Sequence, residues 1–281
     1  MGRTASPAAG IRSRLKRWAG TAGLAIDEKG YTRALDDNFY QPLTACTVAE
    51  LKQGDGAELG EKGRIGKIQA LHSSSALCCN LFDYWRGRDT ATLATALKLG
   101  SRICSLQFEA KFPTGLGGRP PNLDLLLGTA GGDRVGIESK FLEPYGTAKP
   151  KPFKEKYFPE GEGLWERAGL PQAQQLAQSL RDNPARYQYL DAQQLLKHLL
   201  GIGQRGEGFS LLYLWFDPGG DAGRDHAAEA DAFVAALGGL RVGVASRTYQ
   251  SLYNDLRNAA GPEHGEYLEY LGRRYFPEAV A

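Results

Sequence analysis

The chain has 281 residues, 42% hydrophobic and 23% charged. That is ample for one large domain or two small ones, and ordinary for a soluble globular protein. A net charge of +2 excludes polyanion binding by bulk charge, so any contact with nucleic acid must come from local basic patches. No apolar run approaches the ~18 residues of a membrane span, and the N-terminus lacks the apolar stretch of a secretory signal.

Residues 1–30 hold Arg3, Arg12, Arg14, Lys16 and Arg17, with no acid until Asp27. They read as a basic, disordered tail; a basic arm that touches phosphates is the sharper alternative, and the acid-poor composition also fits an organelle transit peptide. Residues 31–60 are punctuated by glycine and give no clear periodicity. A helix is expected over 67–85 and a shorter one over 89–99. Cys78 and Cys79 fall in the apolar pattern of the first. With Cys46 and Cys104 lacking any zinc spacing, they read as buried free thiols in a reducing, cytoplasmic setting. Residues 103–112 alternate, with Leu106, Phe108, Ala110 and Phe112 on one face and Gln107, Glu109 and Lys111 on the other, as a strand with one polar face does. A glycine- and proline-rich loop, 113–121, leads into a hairpin over 122–141. A long lysine- and aromatic-rich loop spans 145–169. Helices are expected at 171–181 and 189–202, a buried strand at 209–218 and a helix near 225–237. A strand at 241–249 and helices at 249–259 and 264–274 follow. Strands in sequence, then helix alternating with strand, argue for an α/β fold with a mixed sheet and flanking helices. One domain over 31–281 is expected.

The hairpin carries three charges where a plain core hairpin would carry none. With a three-residue loop, Ala130-Gly131-Gly132, Thr129 faces Asp133, Leu127 faces Val135 and Leu125 faces Ile137. One face is then Leu123, Leu125, Leu127, Val135 and Ile137. On the same count Asp124 faces Glu138 and Asn122 faces Lys140, so the other face gathers Asp124, Glu138 and Lys140. A loop one residue longer or shorter would mix charge into the core. Directly opposed side chains stand about 4.5–5.5 Å apart at Cβ. Two carboxylates that close repel unless a cation lies between them, and all-oxygen ligands suit Mg²⁺, with Mn²⁺ as a substitute. Lys140 would stand beside that cation, holding the attacking water or stabilising charge on phosphate. The alternative is a structural ion pair of Lys140 with one carboxylate.

"PNLD" followed by "IESK" resembles the PD-(D/E)XK nuclease superfamily, of restriction-endonuclease-like fold, and the chain as a whole looks like bacterial restriction endonucleases of that group. Asn122 and Leu123 depart from its strict Pro-Asp pair. The resemblance implies a four-stranded mixed sheet over 103–217. It also implies Asp124 and Glu138 as metal ligands, the backbone carbonyl of Ser139 as a third, and Lys140 as the lysine. A Mg²⁺-dependent nuclease acting on double-stranded DNA is the expected function, with no membrane role and with a homodimer admitted. The competing expectations are an inactive nucleic-acid-binding protein on the same fold, or an interaction protein with a salt-bridged hairpin.

Three further groups are candidates. Glu109 could approach the site as a third carboxylate. Gln194, Lys197 and His198 share one face of the 189–202 helix, and the family's helix after the lysine strand flanks the site, which points to Gln194 and His198. Lys149, Lys151, Lys154 and Lys156 could neutralise phosphates, while Tyr145, Phe153, Tyr157, Phe158 and Trp165 could stack on bases. A solvated loop with aromatic anchors is the alternative.

Overall fold

The structure, a computed structural model, describes residues 6–54, 57–61, 63–146, 152–205 and 208–277. It opens with helices α1 (Pro7–Thr21), α2 (Ala45–Gln53), α3 (Ser74–Phe82) and α4 (Ala91–Ala96). Three strands follow: β1 (Ile103–Lys111), β2 (Asn122–Thr129) and β3 (Arg134–Lys140). Helices α5 (Leu164–Arg167), α6 (Pro171–Asp182) and α7 (Ala192–Gly203) cross to β4 (Phe209–Trp215). The chain ends with α8 (Gly220–Ala236), β5 (Gly243–Thr248), α9 (Tyr249–Ala259) and α10 (Gly265–Tyr275). The starts of α1, α2, α3, α7 and α9 carry Ser6, Thr44, Ser73, Asp191 and Thr248, whose side-chain oxygens accept a backbone N–H three residues on. That bond satisfies one of the donors a helix start leaves open.

The five strands form one mixed sheet in the order β1-β2-β3-β4-β5. The first three run antiparallel, and β3, β4 and β5 run parallel. Parallel neighbours need a crossover, and α5–α7 and α8 supply the two. One face of the sheet buries Leu125, Leu127, Val135, Ile137, Leu212 and Leu214 with residues of α1, α3, α9 and α10. The other buries Leu211, Tyr213 and Trp215 with residues of α5–α8. This is the α/β, mixed-sheet fold expected from the order of elements.

The hairpin has the expected register: Leu125 pairs with Ile137, Leu127 with Val135, and the Thr129 N–H donates to the Asp133 carbonyl. The pairing stops at Leu125–Ile137, however, so Asn122 does not face Lys140. Leu123 is also not part of the Leu125–Leu127 face. It packs in the opposite layer, where a Cβ on Gly136 would meet its Cδ1 at 2.5 Å. The same switch occurs on β1, where Phe108 lies in one layer and Ala110 and Phe112 in the other. Glu109, with φ of 53°, turns the strand between them. A non-glycine residue in that left-handed region costs about 1–3 kcal/mol, so the paired switch must be held by packing on both faces.

The N-terminal segment is not a tail. Described from residue 6, it forms α1, which buries Ala8, Ile11, Leu15 and Ala19. Its spacing of three, four and four residues is an apolar helical stripe, and Arg14 donates to the Tyr275 carbonyl at 3.1 Å. Arg3 lies outside the described residues.

Candidate active site

Where β2 and β3 part, a side chain replaces the missing ladder partner. Asp124 Oδ2 accepts the Ser139 N–H at 2.7 Å. The Lys140 carbonyl accepts from Phe216 N of the β4 side. Backbone groups alternate direction along a strand, so the Ser139 carbonyl turns the other way, toward Asp124. Ser139 Oγ is engaged on the far layer, 2.6 Å from Tyr249 Oη.

Glu138 projects onto the α7 layer and is 1% exposed. Lys140 Nζ donates to its Oε1 at 2.5 Å, and His198 Nε2 lies 2.9 Å from its Oε2. The second contact is close but off the line of a hydrogen bond, since neither Oε2 nor either His198 ring nitrogen has a hydrogen-bond partner. Electrostatics separate the two carboxyls. Burial works against ionising Glu138, yet the Lys140 ammonium and then His198 outweigh it and hold the group down at about 2. Burial, then the charge of Glu138, pushes Asp124 well above the ordinary aspartate range, against Lys140 and the Ser139 N–H. Burial also opposes charge on Lys140, but Glu138, Asp124 and Glu143 more than offset it and raise the ammonium above the ordinary lysine value.

Glu109 takes a hydrogen bond from Asn122 Nδ2 at 3.1 Å, and its charge reaches Asp124. Its left-handed backbone leans the side chain over α2's end, where a Cβ on Gly54 would sit 2.6 Å from its Oε2. Gln194 is half-buried one turn before His198, and its backbone N–H is held by Asp191 Oδ1. Lys197 Nζ lies over the rings of Phe153 and Tyr157.

The 145–169 loop differs from its expectation. Tyr145, Tyr157 and Trp165 are buried, and the half-buried Phe153 and Phe158 pack on Trp165, as anchors within the fold. Lys154 and Lys156 are both exposed, and Lys156 donates to the Gly117 carbonyl and lies over Tyr157. Lys149 and Lys151 lie outside the described residues.

Two neighbours of the site were not singled out by sequence. Tyr213 is paired beside Glu138 in the parallel ladder and feels its charge. Glu143, three residues after Lys140, accepts the Phe141 N–H at 2.8 Å. The tyrosine gave no signal apart from its place in a buried, largely apolar strand.

The groups here that could hold a metal offer oxygen only: the carboxylates of Asp124 and Glu138 and the Ser139 carbonyl. Glu138 Oε2 is buried without a hydrogen bond, and Asp124 and Glu138 repel each other, a pair that a cation would relieve. Among the described residues no three His, Cys, Asp or Glu side chains group as a metal cage. Mg²⁺ and Mn²⁺ bind through one or two carboxylates and keep water and phosphate as further ligands.

An antiparallel hairpin that feeds a parallel strand pair, with helices on both faces and carboxylates where the hairpin opens, is the restriction-endonuclease-like architecture. The chain belongs to the family described as Restriction Endonuclease associating with ARP, which it matches over residues 12–276. No curated protein and no solved structure matches it.

Proposed function

We propose that the protein is a metal-dependent nuclease of the PD-(D/E)XK type that hydrolyses phosphodiester bonds in DNA. The observation that carries this reading is the meeting of Asp124, Glu138 and Lys140 where β2 and β3 part. Asp124 and Glu138, with the Ser139 carbonyl, would hold Mg²⁺ or Mn²⁺. The ion, when bound, supplies positive charge that polarises a phosphoryl oxygen and acidifies a water. Lys140 is kept charged by Glu138, so at neutral pH it donates hydrogen bonds. It holds the attacking water or meets the charge that builds on the phosphate. Glu138 fixes the lysine's position through Oε1, and His198 walls the buried side of that carboxylate.

The test is incubation with supercoiled and linear DNA in Mg²⁺, in Mn²⁺ and in chelator, with Asp124→Ala beside the wild type. Metal-dependent cutting that Asp124→Ala loses, together with loss of calorimetric Mn²⁺ binding, is the expected result. A wild-type protein that binds Mn²⁺ at the site and cuts neither DNA form would leave a non-cutting binder; absence of Mn²⁺ binding would make the hairpin a structural ion pair.

A further inference from the structure

Helix α1 carries Arg12, Arg14, Lys16 and Arg17 and no acidic residue. A fold-stabilising helix has no need of so one-sided a surface. Arg14 is used inside, against Tyr275 and the Phe216 ring. Arg12 and Lys16 are four residues apart, share one helix face and are exposed. Among the described residues neither forms an ion pair with a carboxylate.

Their direction is fixed by the segment beside them. Lys16 Nζ donates to the Glu28 carbonyl at 2.5 Å. Its Cε and the Nδ1 of His72 approach the same point over Gly30, 3.4 and 3.9 Å from where a Cβ there would lie. Gly30 has a φ of 88° and its carbonyl accepts the Leu71 N–H at 2.9 Å, which places the 27–30 turn beside His72. Burial, then Arg12, holds His72 below its ordinary value, so the imidazole adds an N–H donor to the two cations.

His72 lies two residues before α3, which packs against β2 and β3. Glu143, bonded to the Phe141 N–H immediately after Lys140, acts electrostatically on both Lys140 and His72. The neighbouring carboxylates have their own partners, Glu143 at Phe141 N and Glu58 at Ser75 Oγ, and leave the α1 cations available.

We propose that Arg12, Lys16 and His72 form a ledge that contacts phosphates and seats the backbone of a DNA duplex beside Asp124, Glu138 and Lys140. The identity of the ligand rests on the nuclease reading, and the location does not.

The experiment is fluorescence anisotropy with a labelled duplex in chelator, across a salt series. It compares the wild type, Arg12→Ala, Arg12→Ala/Lys16→Ala, and the control Arg102→Ala/Arg205→Ala. The control removes two exposed cations at the opposite end of the sheet. The slope of log affinity against log salt should become shallower by about 0.9 in the single variant and about 1.8 in the double, and stay unchanged in the control. Thermal melting checks the fold, and Arg12→Ala, at an exposed position, keeps the test valid if Lys16→Ala loosens the 27–30 turn. A wild-type slope in both α1 variants, an equal loss in the control, or no duplex binding by the wild type overturns the ledge. Metal-dependent cleavage, assayed separately, distinguishes the two readings. Cutting with unchanged slopes rejects the ledge alone, and shallower slopes without cutting reject the nuclease alone.

Discussion

Lys140 and Glu138 show how one contact serves both fold and chemistry. A buried carboxylate needs a counter-charge, and Lys140 supplies it at 2.5 Å. Replacing the lysine alone leaves Glu138 charged and enclosed, which costs about 3–5 kcal/mol for a broken buried pair. Lys140→Met should therefore lower stability by that amount, and Lys140→Met/Glu138→Gln should recover much of it. Urea unfolding of the two variants and of Glu138→Gln measures the coupling directly. If Lys140→Met is as stable as the wild type, Glu138 has its counter-charge elsewhere, with His198 the nearest group. Asp124 is different in kind, since its place depends on a backbone N–H and on the point where two strands part.

At the scale of elements, α7 controls how His198 reaches Glu138. Gly201 lets the helix lie against the end of β1, for a Cβ there would stand 2.4 Å from the Phe112 carbonyl oxygen. Backbone cannot swing aside as a side chain can, so Gly201→Ala must push α7 outward. A loss of about 1–3 kcal/mol is expected, read as a lower denaturant midpoint. Unchanged stability would show that the α7–β1 approach is slack. Much at this scale was legible in the sequence. The hairpin register followed from apolar alternation alone, and α6, α7, β4, β5, α9 and α10 lie within a few residues of their expected spans. The layer switch at Glu109 and Leu123 was not legible, because glutamate gives no sign of a left-handed backbone and regular alternation was the simplest reading. Helix α1 was legible but masked: Ala8, Ile11, Leu15 and Ala19 mark the buried stripe, and four basic residues within it drew the reading toward a tail.

At the scale of the whole molecule, acid should act first on the layer of α8. His226 is fully buried and sits between two tyrosines, Tyr145 Oη at 2.7 Å from Nδ1 and Tyr213 Oη at 2.9 Å from Nε2. Burial holds it down at about 3 from an ordinary value of 6.5. Between those values the unfolded chain binds a proton that the folded chain does not. Its contribution to stability is thus fully present above about pH 6.5 and declines as pH falls toward 3, by up to about 1.4 kcal/mol per unit. Melting curves across that range should show the decline, and His226→Gln should flatten it; an equal slope in the variant would place the titration elsewhere. The clasp between the first and last helices has a consequence of another sort. Trp18 meets Tyr270 edge-on at 5.8 Å, and the Arg274 guanidinium lies 4.7 Å over the Trp18 ring. On a ribosome α1 is made before α10, so α1 waits through the synthesis of the segment between them before Tyr270 and Arg274 exist. During that wait its apolar stripe and its cations are both uncovered, beside the ribosome's own RNA. The clasp can close only after residues 265–275 have been made.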